Sequence, residues 1–171
     1  LEKCKTEYFD FYLIHNVYEG NIDDYLDPKF GILEYLLEQK AAGKIRHFGF
    51  SAHGDINCIK RFLDSPYGEH MEFCQLQLNY MDWHYQYCDA KYALCEERGI
   101  PVWVMEPVRG GKLCTQSDGM TAELNKMRPD ETIPGWAFRF IQAVPEVTVV
   151  LSGMSNMEQL KKNKEPWNED K

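Results

Sequence analysis

Three short stretches of the 171-residue sequence carry residue types that could do chemistry. In "FDFYLIHN", residues 9–16, an apolar run stops at His15. An imidazole titrates near neutral pH, so one held at the end of a strand is placed where chemistry could begin. The plain alternative is a structural histidine at a strand end. In "EPVRGGKL", residues 106–113, a glycine pair follows another apolar run. Glycine lets backbone N–H groups approach an anion such as a pyrophosphate, although a glycine pair also makes a simple turn. The third stretch, "SNMEQLKKNK", opens with Ser155-x-x-Glu158, a capping-box spacing. The free N–H groups of a helix start suit an anion, and an ordinary capped helix reads the same way.

These residues need elements to hold them. The run before His15 is aromatic and branched without period-two alternation, which is how a parallel strand buried on both faces reads. Runs near Tyr8–Ile14, Ile45–Phe50, Phe73–Leu78, Val102–Met105 and Val147–Leu151 predict five such strands. Helical patterns lie between them. Residues 30–44 place Ile32, Leu33, Leu36 and Leu37 on one face and stop at Gly43. Residues 56–64 do the same with Ile56, Ile59, Phe62 and Leu63, and residues 87–100 stop at Gly99. Residues 133–145 have Pro134 near the start and Pro145 past the end. Strands alternating with helices predict successive βα units, hence an α/β fold with a parallel sheet and right-handed crossovers. Spacing fits an open sheet and a barrel equally. In both, functional groups sit just past the carboxyl ends of the strands, where His15 falls.

The length is that of one domain, and 44% hydrophobic residues is a globular composition. A net charge of -8 with scattered basic residues excludes a general nucleic-acid binder; the densest group, Lys161, Lys162 and Lys164, is diluted by acids. No apolar stretch approaches the roughly 18 residues of a membrane span. The opening "LEKCKTEYFD" is charged, unlike a signal peptide, and reads as the last turn of a helix. Cys4, Cys58, Cys74, Cys88, Cys95 and Cys114 show neither a C-x-x-C pair nor zinc-type spacing, so no metal site is expected and a reducing, cytoplasmic compartment fits best. His47, His53, His70 and His84 lack ligand spacing and read as surface or loop residues. His53 and Trp83, each just past a strand, could line a substrate pocket. "RPDE", residues 128–131, reads as a solvated turn.

Five stretches, "YFDFYLIHN", "GKIRHFGFSAH", "FCQLQLNY", "GIPVWVMEPVRGGKL" and "VTVVLSGMSNMEQLKKN", occur in the order found in the aldo/keto reductase family. The chain resembles that family from about residue 1 to residue 164. The resemblance implies the (β/α)8 TIM-barrel type, here a partial barrel of about five βα units. It implies a single domain over residues 1–171, the C-terminal part of a reductase from its fourth barrel strand onward. The implied reaction is hydride transfer from NAD(P)H to an aldehyde or ketone. In the family a tyrosine, aided by a lysine and an aspartate, donates the proton. Those three would lie ahead of Leu1, so the chain by itself is expected to be inactive. His15 matches the histidine that orients and polarises the carbonyl.

The resemblance also implies a cofactor site. Ser51 and Gln75 match groups that bond the nicotinamide carboxamide, and Met105 stands where many relatives stack a tyrosine on that ring. Val108 and Gly110 match the pyrophosphate loop; Ser155, Gln159 and Asn163 match contacts to the adenosine phosphate. Ala52 replaces a usual asparagine, and Gly153 and Gln159 stand where many relatives have lysine and arginine. NADP(H) is therefore expected, with NAD(H) as the other candidate. A small carbonyl compound is the implied partner, with neither nucleic acid nor membrane. Unpaired sheet edges would favour self-association or association with the missing N-terminal half. No four-cysteine cluster motif is present, so an iron–sulfur cluster is not implied. The alternative function is a non-catalytic cofactor-binding or assembly module of the same fold, which accounts for His15 and Ser51 equally well.

Overall fold

Strand order separates the two architectures that spacing leaves open. In the computed structural model, which describes residues 1–168, β1 (Phe9–Val17), β2 (Ile45–Ala52), β3 (Cys74–Gln77), β4 (Val102–Met105) and β5 (Val147–Val150) form one sheet. They lie in the order β1-β2-β3-β4-β5, and every neighbouring pair is parallel. A doubly wound sheet reverses its order at a switch point; this sheet never reverses. Crossovers of one hand then put the connecting helices on one face, as in a (β/α) barrel. The fold is α/β, with a five-stranded parallel section of that type.

The amphipathic stretches form the main helices. α1 (Ile22–Leu26) follows β1, and α2 (Ile32–Ala41) buries Leu33 and Leu36. α3 (Ile56–Leu63) buries Cys58, Ile59, Phe62 and Leu63 and is capped by Asp55, whose carboxylate accepts the Cys58 N–H at 2.8 Å. α4 (Asp82–Tyr85) and α5 (Cys88–Glu97) follow β3, with Gly99 past the end of α5 in the left-handed region at φ +64°. α6 (Asp118–Met127) and α7 (Ile133–Gln142) follow β4, and α8 (Met157–Lys164) follows β5. α1 and α4 are too short for periodicity to reveal. α6 buries no residue, so no apolar stripe announces it.

Two readings of local sequence are corrected. The cap of α8 is Asn156, one residue after the expected Ser155; its side chain accepts the Gln159 N–H at 2.9 Å. Gln159 returns the favour by accepting the Ser155 N–H at 2.8 Å. The turn at residues 128–131 is not fully solvated, because Glu131 is buried against Arg139.

Side-chain alternation gives the sheet two faces. Phe48, Phe50, Ala52, Cys74, Leu76, Val102 and Val104 are buried under the helices, with the Phe50 ring 5.0 Å from Phe62 of α3. The other face carries Phe11, His47, Phe73 and Trp103 in mutual ring contact; Phe73 and Trp103 stack at 4.3 Å and Phe11 meets Trp103 at 4.7 Å. Gly49 makes this packing possible. A Cβ there would lie 2.5 Å from the Phe73 carbonyl oxygen and 2.7 Å from its ring. A backbone oxygen in a paired strand cannot yield cheaply. Gly49→Ala is expected to cost about 1–3 kcal/mol, the range of core overpacking. Urea unfolding measures this, and an unchanged midpoint would contradict it.

Cys58, Cys74, Cys88 and Cys95 are buried, Cys4 is exposed and Cys114 lies between, all as free thiols. Burial pushes the Cys58 thiol up to about 11 and the Cys88 thiol to about 12. A protonated, shielded thiol is a poor nucleophile. In a thiol titration at mildly alkaline pH, Cys4 should react first and Cys114 more slowly. The buried thiols should wait for denaturant; rapid labelling of Cys58 or Cys88 in the native protein would refute this packing.

Candidate active site

His15 sits in a break of strand register. Ile14 pairs with Phe50 and Val17 with Ala52, so the β1 segment between them holds one more residue than its partner. Bulges of this kind re-aim a side chain and bend the strand. Asn16 completes the bend in the left-handed region at φ +61°. Three hydrogen bonds pin the backbone here. The Asn16 N–H donates to Ser51 Oγ at 2.6 Å, Asn21 Nδ2 donates to the Asn16 carbonyl at 2.7 Å, and the Tyr25 hydroxyl donates to the His15 carbonyl at 2.8 Å. The imidazole itself remains exposed, its edge meeting the His53 ring at 6.1 Å.

A cavity of about 940 Å³ opens at the carboxyl ends of β3, β4 and β5. Its wall includes Gln75, Met105, Val108, Gly110, Ser155, Gln159 and Asn163, which the sequence places on three separate stretches. Gln75 Nε2 lies 3.4 Å from Met105 Sδ, and Asn163 Nδ2 donates to Ser152 Oγ at 3.1 Å. Ser51 lies on β2, which pairs with β3 of this wall, and His15 lies on β1, one strand further out. Ser51 pairs in register with Gln75 but is fully buried, its oxygen accepting from Asn16 and its O–H left as a donor. Ser152, Gly153 and Lys162 also line the cavity. Position just past β5 is the signal that could have found Ser152. Lys162 is held by Glu158 at 2.7 Å.

The loop after β4 forms one side of the cavity and has an unusual backbone. Glu106 (φ +57°), Arg109 (φ +50°), Gly110 (φ +60°) and Gly111 (φ +88°) are all left-handed. The N–H groups of Arg109 and Gly111 bond the carbonyls of Glu106 and Val108, each at 3.0 Å. The loop is anchored from the β3 side by residues that motif reading passed over. Asn79 Nδ2 donates to the Glu106 carbonyl at 3.0 Å and to Asp82 Oδ2 at 2.7 Å. Asp82 is completely buried, also accepts from Gln77 Nε2 at 2.9 Å, and pairs with Arg109 Nε at 3.1 Å. An asparagine three residues before an aspartate, directly after a strand, is the cue in sequence; its Oδ1 accepts the Met81 and Asp82 N–H groups and starts α4.

With this geometry in view, comparison with known proteins is direct. The aldo/keto reductase family model matches residues 1–170, and the chain belongs to that family. An uncharacterized oxidoreductase of Bacillus subtilis (strain 168), YcsN, is 28% identical over 149 residues, covering 81% of this chain and 47% of that protein. A second from the same organism, YqkF, is 25% identical over 95% of this chain and 56% of its own length. The chain thus spans about half the length of the curated relatives it matches. The holo form of an aldo-keto reductase from Bacillus halodurans superposes with a TM-score of 0.73 at 25% identity, over 99% of this chain and 58% of that one. An aldo/keto reductase from Klebsiella pneumoniae, solved in complex with NADP and acetate, has the same fold at a TM-score of 0.71 and 20% identity, over 96% and 55% of the two chains.

The cavity suits the nicotinamide cofactor of this family in size and chemistry. Its volume is at the upper end of the roughly 300–1,000 Å³ typical of ligand sites. A Cβ built on Gly111 would meet nothing within 4 Å, and one on Gly110 only the Glu106 carboxylate at 3.7 Å, so a ligand has room against the loop backbone. Among the described residues, no cluster of three or more His, Cys, Asp or Glu side chains could hold a metal ion, and no helix is long and apolar enough to cross a membrane.

The histidine pair has a titration consequence. The His53 pKa is lowered below its ordinary 6.5, first by partial burial and then by the neighbouring charges of His15 and Lys91. Folding therefore disfavours the protonated ring. The corresponding stability is present above the unfolded value near 6.5 and is lost as pH falls below it through the folded value. In an NMR titration His53 should titrate below 6.5, and His15→Ala should move it upward. A downward or absent response would show that the rings are not electrostatically coupled.

Proposed function

We propose that this chain acts in an NAD(P)H-dependent reductase of small aldehydes or ketones. One observation carries the reading: seven residues from three stretches meet in a single cavity, and an exposed, backbone-pinned histidine lies near the carboxyl end of β1 in the same sheet. A bound nicotinamide supplies the hydride in this chemistry. The Gln75 amide would bond the carboxamide, helped by the Ser51 O–H, and the Met105 thioether would pack on the ring. The backbone at Val108 and Gly110 would face the pyrophosphate. Ser155, Gln159 and Asn163 would hold the adenosine end, which the present bonds between Ser155 and Gln159 keep in place. His15 would donate a hydrogen bond to the carbonyl oxygen and polarise it. The NADP found in the Klebsiella pneumoniae reductase supports NADP(H) as first choice, with NAD(H) second. The free thiols favour a cytoplasmic setting.

Polarisation alone does not supply a proton. The family pattern assigns that step to a tyrosine aided by a lysine and an aspartate, none of which is among the residues given roles above, so the chain alone is expected to bind dinucleotide without turnover. In the intact protein, His15→Ala should lower kcat/KM by about 10²–10⁴, the usual worth of acid–base assistance, with NADPH affinity nearly unchanged. Fluorescence titration with NADPH and NADH, alongside absorbance assays on a panel of small carbonyls, tests both statements. A wild-type protein that binds neither dinucleotide would end the reading. Normal turnover with lost cofactor binding in His15→Ala would show that the histidine is misassigned.

A further inference from the structure

Resting on the dinucleotide reading above, we propose that Asp82 is a positioning residue that clamps the loop after β4 into its ligand-ready shape. Its place in the molecule asks for an explanation. A carboxylate with no solvent exposure is costly to keep unless it is paired, and Asp82 takes hydrogen bonds from Asn79 and Gln77 and an ion pair from Arg109. Arg109 belongs to the loop itself, two residues before Gly111 and between Val108 and Gly110 of the cavity wall. Asn79, which Asp82 fixes, in turn holds the Glu106 carbonyl at the start of the same loop. The clamp therefore grips both ends of the segment 106–109.

Those two grip points are also the loop's non-glycine residues in left-handed conformation, Glu106 and Arg109. For an L-residue this conformation is unfavourable, and it persists where surrounding structure over-determines it. Asp82 is that surrounding structure. Arg109 makes two further contacts in the same direction, its guanidinium 3.3 Å from Met81 Sδ and 5.5 Å from the Tyr85 ring centre. Release of the clamp lets Glu106 and Arg109 relax toward ordinary backbone, which turns the backbone at Val108 and Gly110 away from the cavity.

Asp82→Asn in the intact protein tests this. NADPH dissociation constants should rise about tenfold, the scale of one lost hydrogen bond to a charged group. Hydrogen–deuterium exchange without ligand should increase in the peptide covering residues 106–113 while β2 and β3 stay protected. The specific signature is rescue. Glu106→Gly added to Asp82→Asn should recover most of the affinity, since glycine takes φ +57° without a Cβ penalty. Arg109→Met should resemble Asp82→Asn, and the two together should do little more than either. Unchanged loop exchange in Asp82→Asn would overturn the clamp, as would exchange raised throughout the sheet, which would mean a general structural role. Wild-type protein without dinucleotide affinity would defeat the functional reading alone, because the exchange comparison reads the clamp with no ligand present.

Discussion

Left-handed backbone at the carboxyl ends of the strands is the constraint on which this site depends. A strand carries its side chains perpendicular to the sheet, so a group that must face the rim needs a turn in the chain. Asn16 provides it beside His15, and Glu106 provides it directly after β4. Neither is glycine; the conformation costs a residue such as Glu106 about 1–2 kcal/mol, and asparagine less. In both places the compensation comes from the neighbouring strand's connection: Ser51 of β2 receives the Asn16 N–H, and Asn79 after β3 holds the Glu106 carbonyl. A hydrogen bond of net worth about 0.5–1.5 kcal/mol is of the right size to offset the strain.

Sequential parallel order makes this arrangement available. Because β1 lies beside β2 and β3 beside β4, the residue that pins each bend comes from an adjacent βα unit, the following one for Asn16 and the preceding one for Glu106. Register then sets the spacing. Ser51 faces Gln75 and Gln77 faces Met105, so two glutamines on one side of β3 serve two purposes. Gln75 reaches toward Met105 in the cavity wall, and Gln77 reaches toward Asp82 in the clamp. A one-residue slip of β3 would exchange these glutamines for Leu76, which the helices cover.

Much of this was legible in the sequence, and the parts that were not share a cause. Strands showed as apolar runs, and α2, α3, α5 and α7 as stripes ended by glycine or flanked by proline. The cavity residues from Gln75 to Asn163 were recognisable through ordered motifs. Asn79, Asp82 and Arg109 were not, because what singles them out is burial and a contact across 27 positions of chain, neither of which periodicity encodes. The cap of α8 was misplaced by one residue because serine and asparagine are both good caps, and only backbone geometry decides between them. His53 is the exposed residue just past β2 that the sequence predicts, and only its ring contact with His15 lies beyond what spacing encodes.

Charge around the cavity explains why loop shape carries so much of the proposed binding. The nearest cation on α8, Lys162, already pairs with Glu158, and the Glu106 carboxylate stands beside Gly110. An anionic ligand entering here finds its positive potential offset by acids in the side chains. Backbone N–H groups and the glycine approach must then supply the attraction. Dipoles of that kind act only when they point at the ligand, and their contribution falls quickly once the peptide planes rotate. A lysine-rich site would tolerate a loose loop, since a long ammonium side chain can follow the phosphate. Among the described residues that line this cavity Lys162 is the one long cation, and Glu158 already holds it, so the proposed affinity would rest on the backbone angles at Glu106 and Arg109 and on the buried carboxylate beneath them.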